Sequence, residues 1–199
     1  MDSAISDTSV SYLAPTIVES AKILITGPFA VGKTTMVAAL SEITPLRTEE
    51  ALSQAGEAVD DLCWTPEKST TTVAYDFGRL TLGPTLVLYL FGTPGQDRFS
   101  ALWDSLAYGA LGAVVLADTR RISDSFPMLD RLDGLGLPYA VAANTFDGAP
   151  RHHPDELRQS LALPPDTPLV ECDARDRRSA ASAVIALVEH LPLLRQERP

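Results

Sequence analysis

Short apolar runs alternate along this chain with segments whose apolar residues recur at helical spacing. The apolar runs predict six strands, at residues 22–26, 72–82, 86–91, 110–118, 139–144 and 169–172. The helical spacing predicts helices at residues 33–41, 123–135, 154–161 and 177–191. A short turn around Gly83 and Pro84 joins the second and third strands, so this pair is antiparallel. Because helical or irregular segments separate the other strands, we predict an α/β fold with a mostly parallel six-stranded sheet covered on both faces.

Both ends of the chain and one long internal segment fall outside this alternation. Residues 1–20 are rich in Ser, Thr, Asp and Ala without sustained periodicity, which predicts a flexible N-terminal arm. The domain is predicted at residues 21–194, followed by a short C-terminal tail at residues 195–199. Within the domain, residues 42–72 separate the first helix from the second strand. Connections of this length in compact domains are usually functional or disordered.

Composition narrows the functional classes. A length of 199 residues suits one α/β domain plus a tail. The net charge of -10 and the isoelectric point near 4.7 argue against a nucleic-acid partner, so the pair Arg120-Arg121 is interpreted as part of a solvated face. Cys63 and Cys172 form neither a disulfide framework nor a metal set. Since no apolar run is long enough to span a membrane, we expect a cytoplasmic protein without direct membrane insertion.

A glycine-rich turn joins the first predicted strand to the first predicted helix and reads Gly-Pro-Phe-Ala-Val-Gly-Lys-Thr over residues 27–34. Gly27 and Gly32 permit a tight backbone path that points N–H groups into a phosphate-sized nest at the start of a helix. In such a P-loop, Lys33 reaches the β- and γ-phosphates and Thr34 binds Mg²⁺. A simple glycine-rich turn is the alternative, which the flanking strand and helix disfavour. The predicted nucleotide-binding residues of this loop are Gly27, Val31, Gly32, Lys33, Thr34 and Thr35.

The segment Phe-Gly-Thr-Pro-Gly-Gln-Asp-Arg-Phe at residues 91–99 follows a predicted buried strand and resembles the second switch of Ras-like small GTPases. Those proteins carry Asp-x-x-Gly-Gln at this place. The resemblance implies that the Gly95 N–H binds the γ-phosphate and that Gln96 orients the attacking water, with an exposed loop amide as the alternative for Gln96. Gly92 stands where those GTPases have the Asp that holds Mg²⁺ through water.

Residues 72–77 resemble the end of the first switch of the same GTPases. The resemblance implies that Thr72 senses the γ-phosphate and helps to bind Mg²⁺, together with Thr34. Several other hydroxyl residues precede Thr72 and leave the register open, and β-propensity alone also explains them. Asp76 offers a carboxylate in place of the one missing at Gly92, and an ordinary alternating strand position is the alternative.

The strand at residues 139–144 ends in Asn-Thr-Phe-Asp, which resembles the guanine-reading Asn-Lys-x-Asp motif with Thr145 in place of Lys. The two acceptor oxygens of Asp147 match the N1–H and 2-amino donors of guanine and mismatch adenine. An Asn-x-x-Asp turn starting at Asn144 is the alternative. The later Glu-Cys-Asp-Ala-Arg segment resembles the Ser-Ala-Lys loop, which implies that the Ala174 N–H lies near guanine O6 and that Arg175 stands where a Lys would be.

The chain resembles Ras-like small GTPases of the bacterial Mgl-type group, and is most similar to the GTP-binding proteins of actinobacterial conservon operons, over about residues 22–191. The resemblance implies a P-loop NTPase fold with three α/β/α layers, GTP or GDP and Mg²⁺ as cofactors, and Lys33 and Gln96 as catalytic residues. It further implies a Roadblock-type protein, a sensor-kinase-like membrane protein and a small accessory protein as partners. Membrane recruitment would then occur through a partner.

We therefore predict a molecular switch in which the γ-phosphate holds residues 42–72 and 92–108 through Thr72 and Gly95. Hydrolysis would be in-line attack by water, and no arginine finger stands in the first switch because no arginine lies between residues 47 and 79. Turnover is expected to be slow or partner-stimulated. Two alternatives are a nucleotide-gated scaffold that does not hydrolyse, and a small ATP-dependent P-loop phosphotransferase.

Overall fold

The computed structural model describes residues 13–52, 71–95 and 100–196. These residues form a seven-stranded sheet flanked by helices. In chain order the elements are β1 (Glu19–Thr26), α1 (Lys33–Leu40), β2 (Leu46–Leu52), β3 (Thr71–Leu82), β4 (Leu86–Gly92), α2 (Ser100–Ala107), β5 (Gly112–Asp118), a 3₁₀ helix (Thr119–Ser125), α3 (Phe126–Leu135), β6 (Tyr139–Asn144), α4 (Pro154–Ser160), β7 (Leu169–Cys172) and α5 (Arg177–Gln196).

The sheet has the strand order β2-β3-β4-β1-β5-β6-β7. β1 pairs in parallel with β4 and β5, and β5, β6 and β7 continue the parallel part. β3 and β4 form the predicted antiparallel pair, and β2 adds a second antiparallel pair at the edge. All six predicted strands are present, so the mostly parallel α/β arrangement is confirmed.

The seventh strand, β2, lies within residues 42–72, where the sequence indicated a long connection. Its sequence, Leu-Arg-Thr-Glu-Glu-Ala-Leu, lacks the strict apolar alternation of a half-buried strand. An edge strand pairs on one side only and tolerates charged residues, so its apolar signal is weak. Residues 53–70 of the same segment lie outside the described residues, as do Cys63 and residues 1–12 of the predicted arm.

Two hydrophobic clusters lie on opposite faces of the sheet because successive strand side chains point in opposite directions. Ile23 and Ile25 of β1 pack in the cluster that contains the buried residues of α1 and α5. Leu24 packs in the other cluster, with residues of α2 and α3. Cys172 is fully buried in the first cluster, where burial raises the pKa of its thiol to about 11. The three-layer α/β/α architecture is therefore confirmed.

Several element boundaries differ from the predicted ones. β1 begins at Glu19, because the Val18 and Glu19 N–H groups both donate to the Thr85 carbonyl at 3.0 Å. α5 continues to Gln196, beyond the predicted end at residue 191. The helix expected from residue 123 begins at Phe126. Among the described helices, none is long and apolar enough to cross a membrane.

Candidate nucleotide-binding site

The loop between β1 and α1 follows the path that its glycines predict. Gly27 has a φ of 140°, and an added Cβ would lie 2.4 Å from the Leu116 carbonyl oxygen. Gly32 has a φ of 107°, and an added Cβ would lie 2.9 Å from Nδ2 of Asn144. Both torsion and space therefore exclude a side chain at these two positions. The loop backbone wraps tightly around the N-terminus of α1, as a phosphate-binding loop requires.

Lys33 lies across the mouth of this loop. Its Nζ donates hydrogen bonds to the carbonyl oxygens of Gly27, at 2.8 Å, and Pro28, at 2.7 Å. Burial lowers the pKa of the Lys33 ammonium to about 8, and the nearby negative charge of Asp76 partly opposes this shift. Because the ammonium has lost part of its hydration, an anionic ligand beside it would stabilise its charged form.

Asp76 of β3 lies directly beside the P-loop threonine. Thr34 Oγ1 donates a hydrogen bond to Asp76 Oδ2 at 2.5 Å. Asp76 pairs across the strands with Gly92, where an added Cβ would lie 3.2 Å from Asp76 Cβ and 3.3 Å from Oδ2. The glycine at position 92 therefore leaves room for a carboxylate supplied by the neighbouring strand.

Thr34 and Asp76 together suit Mg²⁺, which binds hard oxygen ligands and is usually completed by water and phosphate oxygens. The described residues contain no group of three or more His, Cys, Asp or Glu that could hold a metal ion by themselves. A threonine hydroxyl with one carboxylate is a partial ligand set of the kind that a bound phosphate completes. Thr72 lies in β3 four residues before Asp76, but its side chain is outside the described part of the structure.

The start of the predicted second switch is attached to β1 beside the P-loop. Thr93 is buried, its N–H donates to the Ile25 carbonyl at 2.9 Å, and its Oγ1 donates to Thr26 Oγ1 at 2.9 Å. At Gly95, an added Cβ would lie 2.6 Å from Lys33 Nζ and 3.0 Å from the Phe29 nitrogen. The structure therefore brings Gly95 against the P-loop, and the contact of its N–H with a γ-phosphate stays a prediction. Gln96 lies outside the described residues.

Asn144 ties the other end of the site to the P-loop. Its Nδ2 donates to the Val31 carbonyl at 2.8 Å, and its Oδ1 accepts the Ala174 N–H at 2.9 Å. The resemblance implied guanine O6 as the acceptor for Ala174, whereas this N–H is bound to Asn144 in the structure. Thr145, which replaces the usual Lys, donates through Oγ1 to the Cys172 carbonyl at 3.2 Å. Its short side chain bonds to β7 instead of extending over a base.

Asp147 is 87% exposed and is bound to Arg175 through two hydrogen bonds. Arg175 Nη1 donates to Asp147 Oδ2 and Nη2 donates to Oδ1, both at 3.1 Å. Arg175 also donates to both carboxylate oxygens of Asp173, through Nε and Nη2, each at 2.9 Å. These contacts lower the pKa of both carboxyls, with the Arg175 hydrogen bond as the largest cause. A cavity of about 400 Å³ opens beside Asp147 and Arg175.

Arg120 is exposed, as its interpretation as part of a solvated face expects, and it also forms a specific ion pair. Its Nε and Nη2 donate to the two oxygens of Asp118, at 2.9 and 2.8 Å, although the Asp118 side chain is completely buried. The same guanidinium lies 3.8 Å from the centroid of the Phe146 ring, a cation–π contact. The Arg120 guanidinium therefore links Asp118 of β5 to Phe146 in the loop at residues 144–147. Phe146 and Arg120 are both visible in the sequence, but only the folded structure shows that they are in contact.

Arg121 lies at the P-loop, which the sequence did not reveal. Its Nη2 donates to the Phe29 carbonyl at 3.3 Å, and it forms ion pairs with Asp118 at 3.6 Å and Asp124 at 3.5 Å. Its backbone is non-helical, with φ −143° and ψ 54°, within the 3₁₀ segment. A guanidinium is thus present at the phosphate end, supplied from the β5 side of the sheet and not from the first switch.

Comparison of the sequence with known families gives a match over most of the chain. The profile of a family described as "Conserved hypothetical ATP binding protein" matches residues 25–192. An uncharacterized protein of Methanocaldococcus jannaschii is 25% identical over 131 residues, covering 65% of this chain and 72% of that protein. The region matched by the family profile contains the P-loop and the two segments expected to contact the base, at residues 144–147 and 171–175.

Comparison of the structure gives transporter G domains. The G domain of the T. maritima FeoB iron transporter superposes with a TM-score of 0.61 and 20% identity, covering 86% of this chain and 98% of that domain. The FeoB G domain of Methanococcus jannaschii gives a TM-score of 0.58 and 18% identity, covering 87% and 99%. The cytosolic domain of the T. maritima protein, in a GDP form, gives 0.62 and 19%, covering 86% and 63%. At these identities the likeness shows the fold, which is that of P-loop G domains.

Proposed function

We propose that this chain, which belongs to the family of conserved hypothetical ATP-binding proteins, binds a guanine nucleotide and acts as a nucleotide-dependent switch. The observation that carries the proposal is the Asp147 carboxylate, in a site whose loop is joined to the P-loop by Asn144. A carboxylate accepts from both the N1–H and the 2-amino group of guanine, whereas adenine has an acceptor at N1. A site that pairs with both donors rejects a base that lacks them.

The phosphate end supports binding of a di- or triphosphate. Lys33 binds the β- and γ-phosphates through charge-assisted hydrogen bonds, and the Gly95 N–H adds a donor for the γ-phosphate. Thr34 and Asp76 hold Mg²⁺, which, when bound, neutralises charge on the phosphate oxygens. Arg121 adds a positive charge beside Phe29 at the loop mouth. These groups stabilise negative charge without any covalent step.

Hydrolysis in this proposal is in-line attack by a water that Gln96 orients. Positioning and electrostatic stabilisation supply most of the catalysis in phosphoryl transfer. Gln96→Leu is expected to retain GTP binding and to lower single-turnover hydrolysis, alone and with a partner. Hydrolysis at the wild-type rate in both conditions would show that Gln96 has no catalytic role.

The switch itself rests on two segments that meet the phosphates. Thr72 and Gly95 respond to the γ-phosphate, and hydrolysis releases them. The Mgl-type resemblance supports a Roadblock-type partner, with a sensor-kinase-like membrane protein and a small accessory protein in the same signalling complex. The chain would act in the cytoplasm and reach the membrane through such a partner. Calorimetry with the Roadblock-type protein should give different affinities for the GDP form and for the form with a non-hydrolysable GTP analogue, and Thr72→Ala should remove that difference.

An ATP-dependent phosphotransferase is the second candidate, because the family description names ATP and a P-loop serves either nucleotide. The two candidates differ at the base. Chromatography of the nucleotide released from the denatured, purified protein identifies the bound base. Competition of ATP and GTP against a fluorescently labelled GDP measures the preference for guanine over adenine. GDP or GTP on the protein, with displacement by GTP and not ATP, supports the guanine proposal. Equal displacement by both would support the ATP candidate.

A further inference from the structure

The carboxylate expected to read guanine is already occupied by a side chain of the same protein. Both oxygens of Asp147 accept hydrogen bonds from the Arg175 guanidinium, at 3.1 Å each. A guanidinium presents two parallel N–H donors to a carboxylate. The N1–H and 2-amino group of guanine form the same kind of donor pair. Arg175 therefore satisfies Asp147 in the way that the base would.

Arg175 also binds a second carboxylate, that of Asp173, through bonds that do not involve Asp147. Its Nε and Nη2 donate to Asp173 at 2.9 Å, and its backbone N–H donates to Asp173 Oδ1 at 2.9 Å. Asp173 is itself fixed, because its N–H donates to Ser179 Oγ at 2.9 Å, and its side chain is only 32% exposed. Arg175 can therefore leave Asp147 and keep a charged partner.

The difference between the two pairs determines which one opens. The bonds to Asp173 are shorter than those to Asp147, and Asp147 is far more exposed. Exposed ion pairs contribute little in water because solvent screens them and two side chains lose freedom. The Asp147 pair is thus the weaker one, and a ligand that also binds at the P-loop can displace it.

We propose that Arg175 is an internal competitor that occupies Asp147 in the nucleotide-free chain and is displaced by the paired donors of guanine. This inference rests on the guanine-binding function proposed above. A base without two adjacent donors cannot replace the bonds that Asp147 loses. Arg175 therefore lowers the affinity only of bases that bind through Asp147.

The test compares Arg175→Gln with Arg178→Gln, which removes the same charge from an exposed position on α5. Affinity for GDP and its association rate are measured by fluorescence with a labelled GDP, and affinity for inorganic tripolyphosphate is measured by competition. Arg175→Gln should raise GDP affinity by about two- to fivefold, the range that corresponds to one exposed ion pair. Tripolyphosphate affinity should be the same in both variants, because this ligand has no base.

Asp173→Asn provides a second variant with the opposite expected sign. Without the Asp173 charge, Arg175 has Asp147 as its remaining acidic partner in this cluster, so displacement is harder and GDP affinity falls. Weaker or unchanged GDP binding by Arg175→Gln, while wild type binds GDP, would overturn the proposal and leave guanine binding standing. If neither wild type nor Arg175→Gln binds GDP and both bind ATP equally, the guanine proposal and this inference both fail.

Discussion

The phosphate end and the base end of the site are built differently. At the phosphate end, Lys33 is mostly desolvated and its pKa is lowered to about 8, while two glycines hold backbone that no side chain could adopt without strain. At the base end, Asp147 and Arg175 are exposed and paired with each other. Buried charge gives large interaction energies, and exposed ion pairs give small ones. Under the proposed function, the comparison predicts that affinity arises mainly at the P-loop and that weaker contacts adjust base selection.

Replacement of Lys33 is expected to have the largest effect. Lys33→Ala removes the charge-assisted contact to the β-phosphate of GDP, so GDP affinity should fall by about 3 kcal/mol, roughly a factor of 150. Titration with fluorescent GDP measures this. Replacement of the exposed Arg178 by Ala is the control and should leave affinity unchanged. Equal affinity of Lys33→Ala and wild type would remove the P-loop from the binding site.

Replacement of Asp147 should change which base is bound. Asp147→Asn loses a charged acceptor, so GDP affinity should fall by about 10- to 100-fold. Xanthosine diphosphate, whose 2-oxo group accepts where guanine donates, should bind the variant better than it binds wild type. Competition assays with both nucleotides give the ratio, and the exposed Asp166→Asn is the matched control. An unchanged ratio would mean that Asp147 does not contact the base.

Replacement of Asp76 tests the metal end of the comparison. Asp76→Asn keeps the shape of the side chain and removes its charge, so the Mg²⁺ concentration needed for half-maximal nucleotide retention should rise by about tenfold or more. Nucleotide release at a series of Mg²⁺ concentrations measures this without hydrolysis. Asp166→Asn, at an exposed position outside the proposed site, is the control. An unchanged Mg²⁺ dependence would mean that Asp76 does not help to bind the metal and is an ordinary strand residue.

The pH dependence of binding should give the smallest effect. The free chain has a Lys33 pKa of about 8, and bound phosphates raise this pKa, so binding takes up a proton. Affinity is therefore full well below pH 8 and falls as the pH rises through 8, by about fourfold between pH 7 and 8.5. Calorimetry in two buffers of different ionisation enthalpy should show this proton uptake at pH 8. Proton release, or affinity that rises with pH in this range, would contradict the assignment.

Features that depend on residues close together in the chain were predicted correctly, whereas features that depend on residues far apart in the chain were not. Strand and helix patterns near the P-loop were read correctly because apolar periodicity and glycine torsions are local properties. β2 was missed because a charged edge strand carries little periodicity, and its pairing with β3 supplies most of the information. Arg120 is exposed, as expected, but its ion pair with the buried Asp118 does not follow from the sequence, because burial at Asp118 is set by the fold.

By itself, the sequence determined the α/β fold, the P-loop and the candidate motifs of a nucleotide site, since these depend on local pattern and on residues adjacent in the chain. Tertiary structure decided which charges meet. It placed Asp76 across from Gly92, brought Arg121 to the P-loop and paired Arg175 with Asp147. Such pairs join residues that are distant in the chain, and the sign and strength of a charge interaction depend on distance and burial, which only the folded chain sets.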